Sequence, residues 1–155
     1  MAVTETQTSL AIYGATSELR AAHVTEALGI EPSYSHEHGD PHQSPRLAAQ
    51  GKVMTHSTWL WHQPATAATD DDFHGMQSLD LLAEHFAPHA AVLVQLSERY
   101  SLRVLMSGFS DSTQGGFVVR PATMLRLGML GAAFVPTVYL EDAETEEDRH
   151  RRKLL

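Results

Sequence analysis

The nine residues Ser35 to Gln43, SHEHGDPHQ, bring three histidines and an aspartate together in one short stretch. On an extended backbone His36, His38, Asp40 and His42 recur at every second position and share one edge, an arrangement able to offer nitrogen and oxygen ligands to a divalent cation. Zinc or nickel would suit such a set, and an open coordination position would activate water for hydrolysis. Gly39 and Pro41 work against a regular strand, however, the HExxH spacing is absent, and no remote ligand can be named. The competing reading is a polar loop in which Gly39 supplies left-handed backbone and Asp40 accepts backbone N–H bonds in a turn. No cofactor is the preferred expectation, with zinc or nickel as the alternative.

A second group lies in VMTHSTWLWH, where His56 and His62 alternate against Trp59 and Trp61. Strand periodicity turns the two tryptophans to the same side, toward the core, and the two histidines to the other. His56 could then join the loop histidines as a base or ligand, with Trp59 beside them as a ligand contact. Ser107, Ser110, Asp111 and Ser112 surround Gly108 without the GxSxG pattern of a nucleophile elbow, and a hairpin turn accounts for them. Dinucleotide and phosphate-loop glycine patterns are absent.

These residues must be positioned by one domain of 155 residues, large enough to bury a single core. A formal charge of -8 disfavours nucleic acid and anionic membranes and favours a basic protein partner or self-association. The absence of cysteine removes disulfides, thiolate metal sites and thiol nucleophiles. The opening residues carry no basic, apolar signal pattern, so a cytoplasmic location is expected.

The apolar spacing predicts an order β-α-β-α-β-β-α-β. A polar leader over residues 1–8 precedes a strand over Ser9 to Tyr13, and Thr16 or Ser17 caps a helix that Gly29 and Pro32 end. A long loop from Glu31 to Lys52, with one helical turn near Arg46 to Gln50, leads to a strand beginning at Val53. A small-residue, acidic loop over 63–77 follows. Ser78 opens a helical region that Pro88 kinks or splits. Strands over Ser101 to Phe109 and Gly116 to Arg120 form a hairpin, Pro121 starts a helix, and a last strand spans Ala133 to Leu140 with Pro136 marking an edge. Residues 141–155 form a charged tail, and the domain proper spans 9–140. The expected fold class is α+β, a mainly antiparallel sheet of about five strands with helices on one face.

The order of several of these features resembles one family. LGIEP at Leu28 to Pro32, the Gly39–Asp40 pair, the strand with Trp59, GGF at Gly115 to Phe117, the helix from Pro121 and a final strand with Tyr139 follow the pattern of the bacterial domain-of-unknown-function family DUF4279. The resemblance covers about Ser9 to Leu140, and it departs from the family at Ser33 to His38, SYSHEH, where many members carry aromatic or basic residues. It implies a small cytosolic domain of the size and acidity seen in immunity-type and other partner-binding proteins. The function expected is non-enzymatic binding through the sheet face or the 31–52 loop, the alternative being a metal-binding protein or metal-dependent hydrolase.

Overall fold

Leu10 and Ile12 lie on the middle strand of the sheet, β1 (Val3–Gly14), which pairs antiparallel on both sides. Its partners are β3 (Ser57–Ala67) and β4 (Ser101–Ser110). The short β2 (Tyr34–His36) adds antiparallel to β3 at one edge, and β5 (Ala133–Leu140) adds parallel to β4 at the other, giving the order β2-β3-β1-β4-β5. The fold is α+β and mainly antiparallel, as the periodicity predicts. The computed structural model describes residues 3–67, 76–110 and 118–140.

The described residues form five α-helices beside the sheet: α1 (Ala21–Leu28), α2 (Pro45–Ala49), α3 (Gln77–Phe86), α4 (Ala90–Ser97) and α5 (Pro121–Met129). α1 and α3 lie on β1 and β3, α4 lies on β4, and α5 rests on α3. The inward side chains Leu10, Ile12, Trp59, Leu102, Val104 and Met106 meet Val24, Leu79, Leu82, Phe86 and Leu93 from the helices in one core. Each large side chain so buried contributes about 1.5–3 kcal/mol of transfer free energy. Pro88 splits the long helical region: α3 stops, a 3-10 turn spans Ala87–His89, and α4 starts afresh. Among the described residues no helix is long and apolar enough to cross a membrane.

Several boundaries differ from expectation. β1 starts at Val3, so residues read as a leader pair with the strands on either side, and Thr6 and Thr8 bond to Ser78 Oγ and Ser78 O at 3.0 Å each. α1 begins at Ala21 rather than after Thr16 or Ser17, because the chain first makes a turn closed by Leu19 N–H on Thr16 O. Gly29 ends α1 as predicted, with φ 65° and its N–H on Thr25 O. The Glu31 to Lys52 loop holds β2 as well as α2. β3 begins at Ser57 because Lys52 to Met54 are already paired with the histidine segment: Gly39 N–H to Met54 O, Met54 N–H to Asp40 O and His42 N–H to Lys52 O.

The fifth strand among the described residues is therefore β2. Residues 118–120 are irregular, and 111–117, with the expected hairpin turn and the GGF triplet, lie outside the described residues. β5 reaches β4 by way of α5, which is why that pair is parallel. The expected loop at 63–77 is strand up to Ala67, and 68–75 and the charged tail 141–155 lie outside the described residues.

Candidate functional site

With the core helices on one side, the outward residues of the sheet form rows across it. His36, Thr58, Tyr13 and Ser101 make the first row; Tyr34, Leu60, Ala11, Arg103 and Ala133 the second; His62, Ser9, Leu105 and Val135 the third. Ala11, Ser9 and Thr58 are shaded by their neighbours, whereas Val135 at 38% and Tyr139 at 53% remain exposed. A shallow groove of about 250 Å³ runs between Ser9, Leu105, Ser107, Val135, Thr137 and Tyr139. Among the described side chains in outward positions none is acidic, and Arg103 stands over the Tyr13 ring at 5.5 Å.

The histidine segment is a folded element at the edge of this face, and its hub is Glu37. That carboxylate accepts from Ala21 N–H and Ala22 N–H at 2.9 Å each and from Ser57 Oγ at 3.0 Å. Burial alone would raise its pKa; the bonds from Ala22, Ala21 and Ser57, with Arg20 nearby, outweigh that and hold it below the usual glutamate range. His38 N–H donates to Ser57 Oγ, so both residues of the pair Glu37–His38 fasten onto the start of β3. Asp40 accepts from Glu37 N–H at 2.7 Å, which is the expected turn. His42 Nδ1 accepts from Ser44 N–H at 3.0 Å at the start of α2.

His36, His38, Asp40 and His42 thus have separate partners rather than one centre. Among the described residues no group of three or more His, Asp or Glu side chains is arranged to hold a metal ion. Trp59 points inward, fully buried, with its indole N–H on Thr25 Oγ1 at 3.1 Å and its ring edge-on to Phe86. It belongs to the core, and no ligand reaches it from the sheet surface. His62 points outward as predicted and bonds Ser9 Oγ through Nδ1 at 2.7 Å.

His36 and His56 do come together, their rings 5.5 Å apart and edge-on. His56 also lies edge-on to Tyr13 at 6.0 Å, so its ring bridges the two neighbours of Thr58 in the first row. His36 Nδ1 meets the Tyr34 hydroxyl at 2.9 Å and the Gln43 amide at 3.5 Å. Burial, then Asp40, pushes the Tyr34 pKa up. In the neutral ring one nitrogen, Nδ1 or Nε2, donates and the other accepts. Nε2 is buried without a hydrogen-bond partner, and so is Thr58 Oγ1 directly across the ladder. The His56 backbone also acts on the His36 ring and favours its protonated form. Burial and then the His56 ring hold the His36 pKa below the usual histidine range; Asp40, the His56 backbone and Glu37 oppose this less strongly.

Sequence reasoning located His36 and His56 but missed Thr58, Tyr13, Tyr34 and Arg103. The alternation of Tyr34 with His36 is a strand signal, overlooked because the surrounding prolines and glycines mark a loop. Nothing local announces Tyr13 or Arg103, which arrive through strand pairing.

No curated protein and no solved structure shows a significant match to the chain. The family model described as Domain of unknown function (DUF4279) matches residues 4–141, and the chain belongs to that family.

Proposed function

We propose that the protein is a non-enzymatic binding domain whose outer sheet face takes a protein partner with a neutral to acidic contact surface. The observation that carries this reading is the character of that face: a groove edged by exposed Val135 and Tyr139, with Arg103 and His62 on it and no acidic residue among its described side chains. Interface centres are depleted in Asp and Glu and enriched in Tyr and Arg, and this face has that composition. The net charge of the chain argued for a basic partner, but what meets a partner is the local surface. Asp70 to Asp72 and the acidic run after Glu141 lie outside the described residues, and an immunity-type role toward a basic partner would have to draw on them.

The test compares capture from native lysate by the wild type, by a double variant Val135→Glu with Tyr139→Glu, and by Glu26→Lys on the helical side. A protein held by the wild type and by Glu26→Lys but lost with the double variant supports the reading. Equal capture by all three would sink it.

A further inference from the structure

Ser9 and His62 face each other across the β1–β3 ladder on the outer side of the sheet, and Ser9 Oγ lies 2.7 Å from His62 Nδ1. That is within the reach of a nucleophile and its base. The ladder itself sets the contact, since directly opposed residues of antiparallel strands hold their Cβ atoms about 4.5–5.5 Å apart. His62 is fastened a second time through its backbone N–H, which donates to Ser33 Oγ at 2.9 Å. The residue is exposed, so water exchanges the ring proton between the two nitrogens, and the tautomer with a bare Nδ1, the one that accepts from Ser9, is populated. Ser9 also lines the groove of about 250 Å³. Leu105 and Val135 continue its row as an apolar wall, and the next row brings the Gln7 amide and the Ser107 and Thr137 hydroxyls to the same groove.

We propose that Ser9 is a nucleophilic serine, with His62 as its base, that takes an acyl group from an activated carboxylic ester whose short apolar acyl chain lies in the groove. Ser9 Oγ bonds to the carbonyl carbon while its proton passes to His62 Nδ1. The bond between that carbon and the leaving oxygen then breaks, and the leaving group departs with the bonding pair and takes up the proton. The products are an acyl-serine and an alcohol or phenol, with no oxidant or further reactant required. Gln7, Ser107 and Thr137 offer N–H and O–H donors to the negative charge that develops on the carbonyl oxygen. The acylated chain is a modified protein rather than a turnover catalyst, so it stays a binding domain, now with its groove filled. Acylation is a reaction of the free chain and does not rest on a partner; its failure leaves capture through Val135 and Tyr139 untouched.

The experiment incubates the full chain with p-nitrophenyl butyrate, follows release of p-nitrophenolate by absorbance, quenches in acid and locates the butyryl group by mass spectrometry of peptides. A burst of about one p-nitrophenolate per chain is expected, with the butyryl group on Ser9. His62→Gln, which keeps a hydrogen-bonding partner for Ser9 but takes up no proton, should slow acylation of Ser9 about 100-fold or more. Ser9→Ala should remove the burst. Locating the label on the wild-type chain needs no variant to fold, and melting temperatures check that both variants do. The proposal is overturned if Ser9 carries no butyryl group, including the case in which only lysine or the N-terminal amine is labelled, or if folded His62→Gln is acylated at Ser9 as fast as the wild type.

Discussion

Glu37 caps the N-terminus of α1 from sixteen positions further along the chain, its two carboxylate oxygens each 2.9 Å from the N–H of Ala21 and Ala22. The helix has no local side-chain cap, and its N-cap position is held by Arg20. The same carboxylate receives Ser57 Oγ, so one side chain joins α1, the histidine segment and β3. That junction explains why the polar loop is ordered: its glutamate satisfies two helix-end donors that would otherwise need water.

Glu37→Gln should therefore destabilise the fold by about 1–2 kcal/mol, the usual worth of an N-terminal cap with a favourable charge. The ion pair with Arg20, at 4.0 Å and largely exposed, adds little. Because the folded pKa of Glu37 lies below its unfolded value, its contribution is fully present above about pH 4.3 and is lost as pH falls through the folded value. Urea unfolding of both proteins at pH 7 and at about pH 3 checks this: the difference should shrink only below about pH 4.3.

His36 carries the opposite charge change but the same sign of pH dependence. With its folded pKa lowered, the unfolded chain takes up the proton first, so stability falls as pH drops below about 6.5 and levels off below the folded value. The groups facing it are Tyr34 on its own strand, His56 before β3, and Asp40 and Glu37 beyond β2. His36→Asn should flatten the fall in melting temperature between pH 7.5 and pH 5. An unchanged slope would place the acid sensitivity in another histidine.

Thr25→Val removes the acceptor of a fully buried indole while keeping side-chain volume. The cost should be about 1–3 kcal/mol, dominated by the unpaired Trp59 N–H rather than by lost packing. In a Trp59→Phe background, where that N–H no longer exists, the same Thr25→Val change should cost much less. A double-mutant cycle from urea unfolding at unchanged m-value measures the difference.

A methyl group on Gly14 would run into the carbonyl oxygen of Leu19 and press on its Cβ, neither of which is the free end of a flexible side chain. Gly14→Ala should lower stability by about 1–3 kcal/mol through displacement of the β1–α1 connection. Gly128, whose Cβ position opens onto empty space inside α5, provides the contrast: Gly128→Ala should be stabilising by thermal unfolding.

Long, regular features were legible in the sequence. The Leu10–Ile12 alternation, the Gly29 stop, the break at Pro88 and the Pro121 start each rest on a local backbone rule, and local rules can be read without the fold. β2 left only the Tyr34–His36 alternation as a trace, because a three-residue strand is held by pairing with Leu60, Trp59 and Thr58 rather than by its own propensity. The same limit applied to chemistry. The histidines were conspicuous by type, yet spacing could not show that Asp40 and His42 would be absorbed by backbone N–H groups while His36 met the Tyr34 hydroxyl and the His56 ring. Nor could it show Glu37 as the hub, since its partners Ala21 and Ala22 belong to another element.

The central place of β1 also bears on how the chain acquires its structure. The earliest strand of this sheet in chain order is the one flanked on both sides, by β3 and then by β4, so its ladder closes only when the segment ending at Ser110 has been made. Leu10 and Ile12 wait through that interval without the strands that finally bury them. Folding of this domain is accordingly dominated by non-local pairing and is slow compared with a helical bundle of similar size.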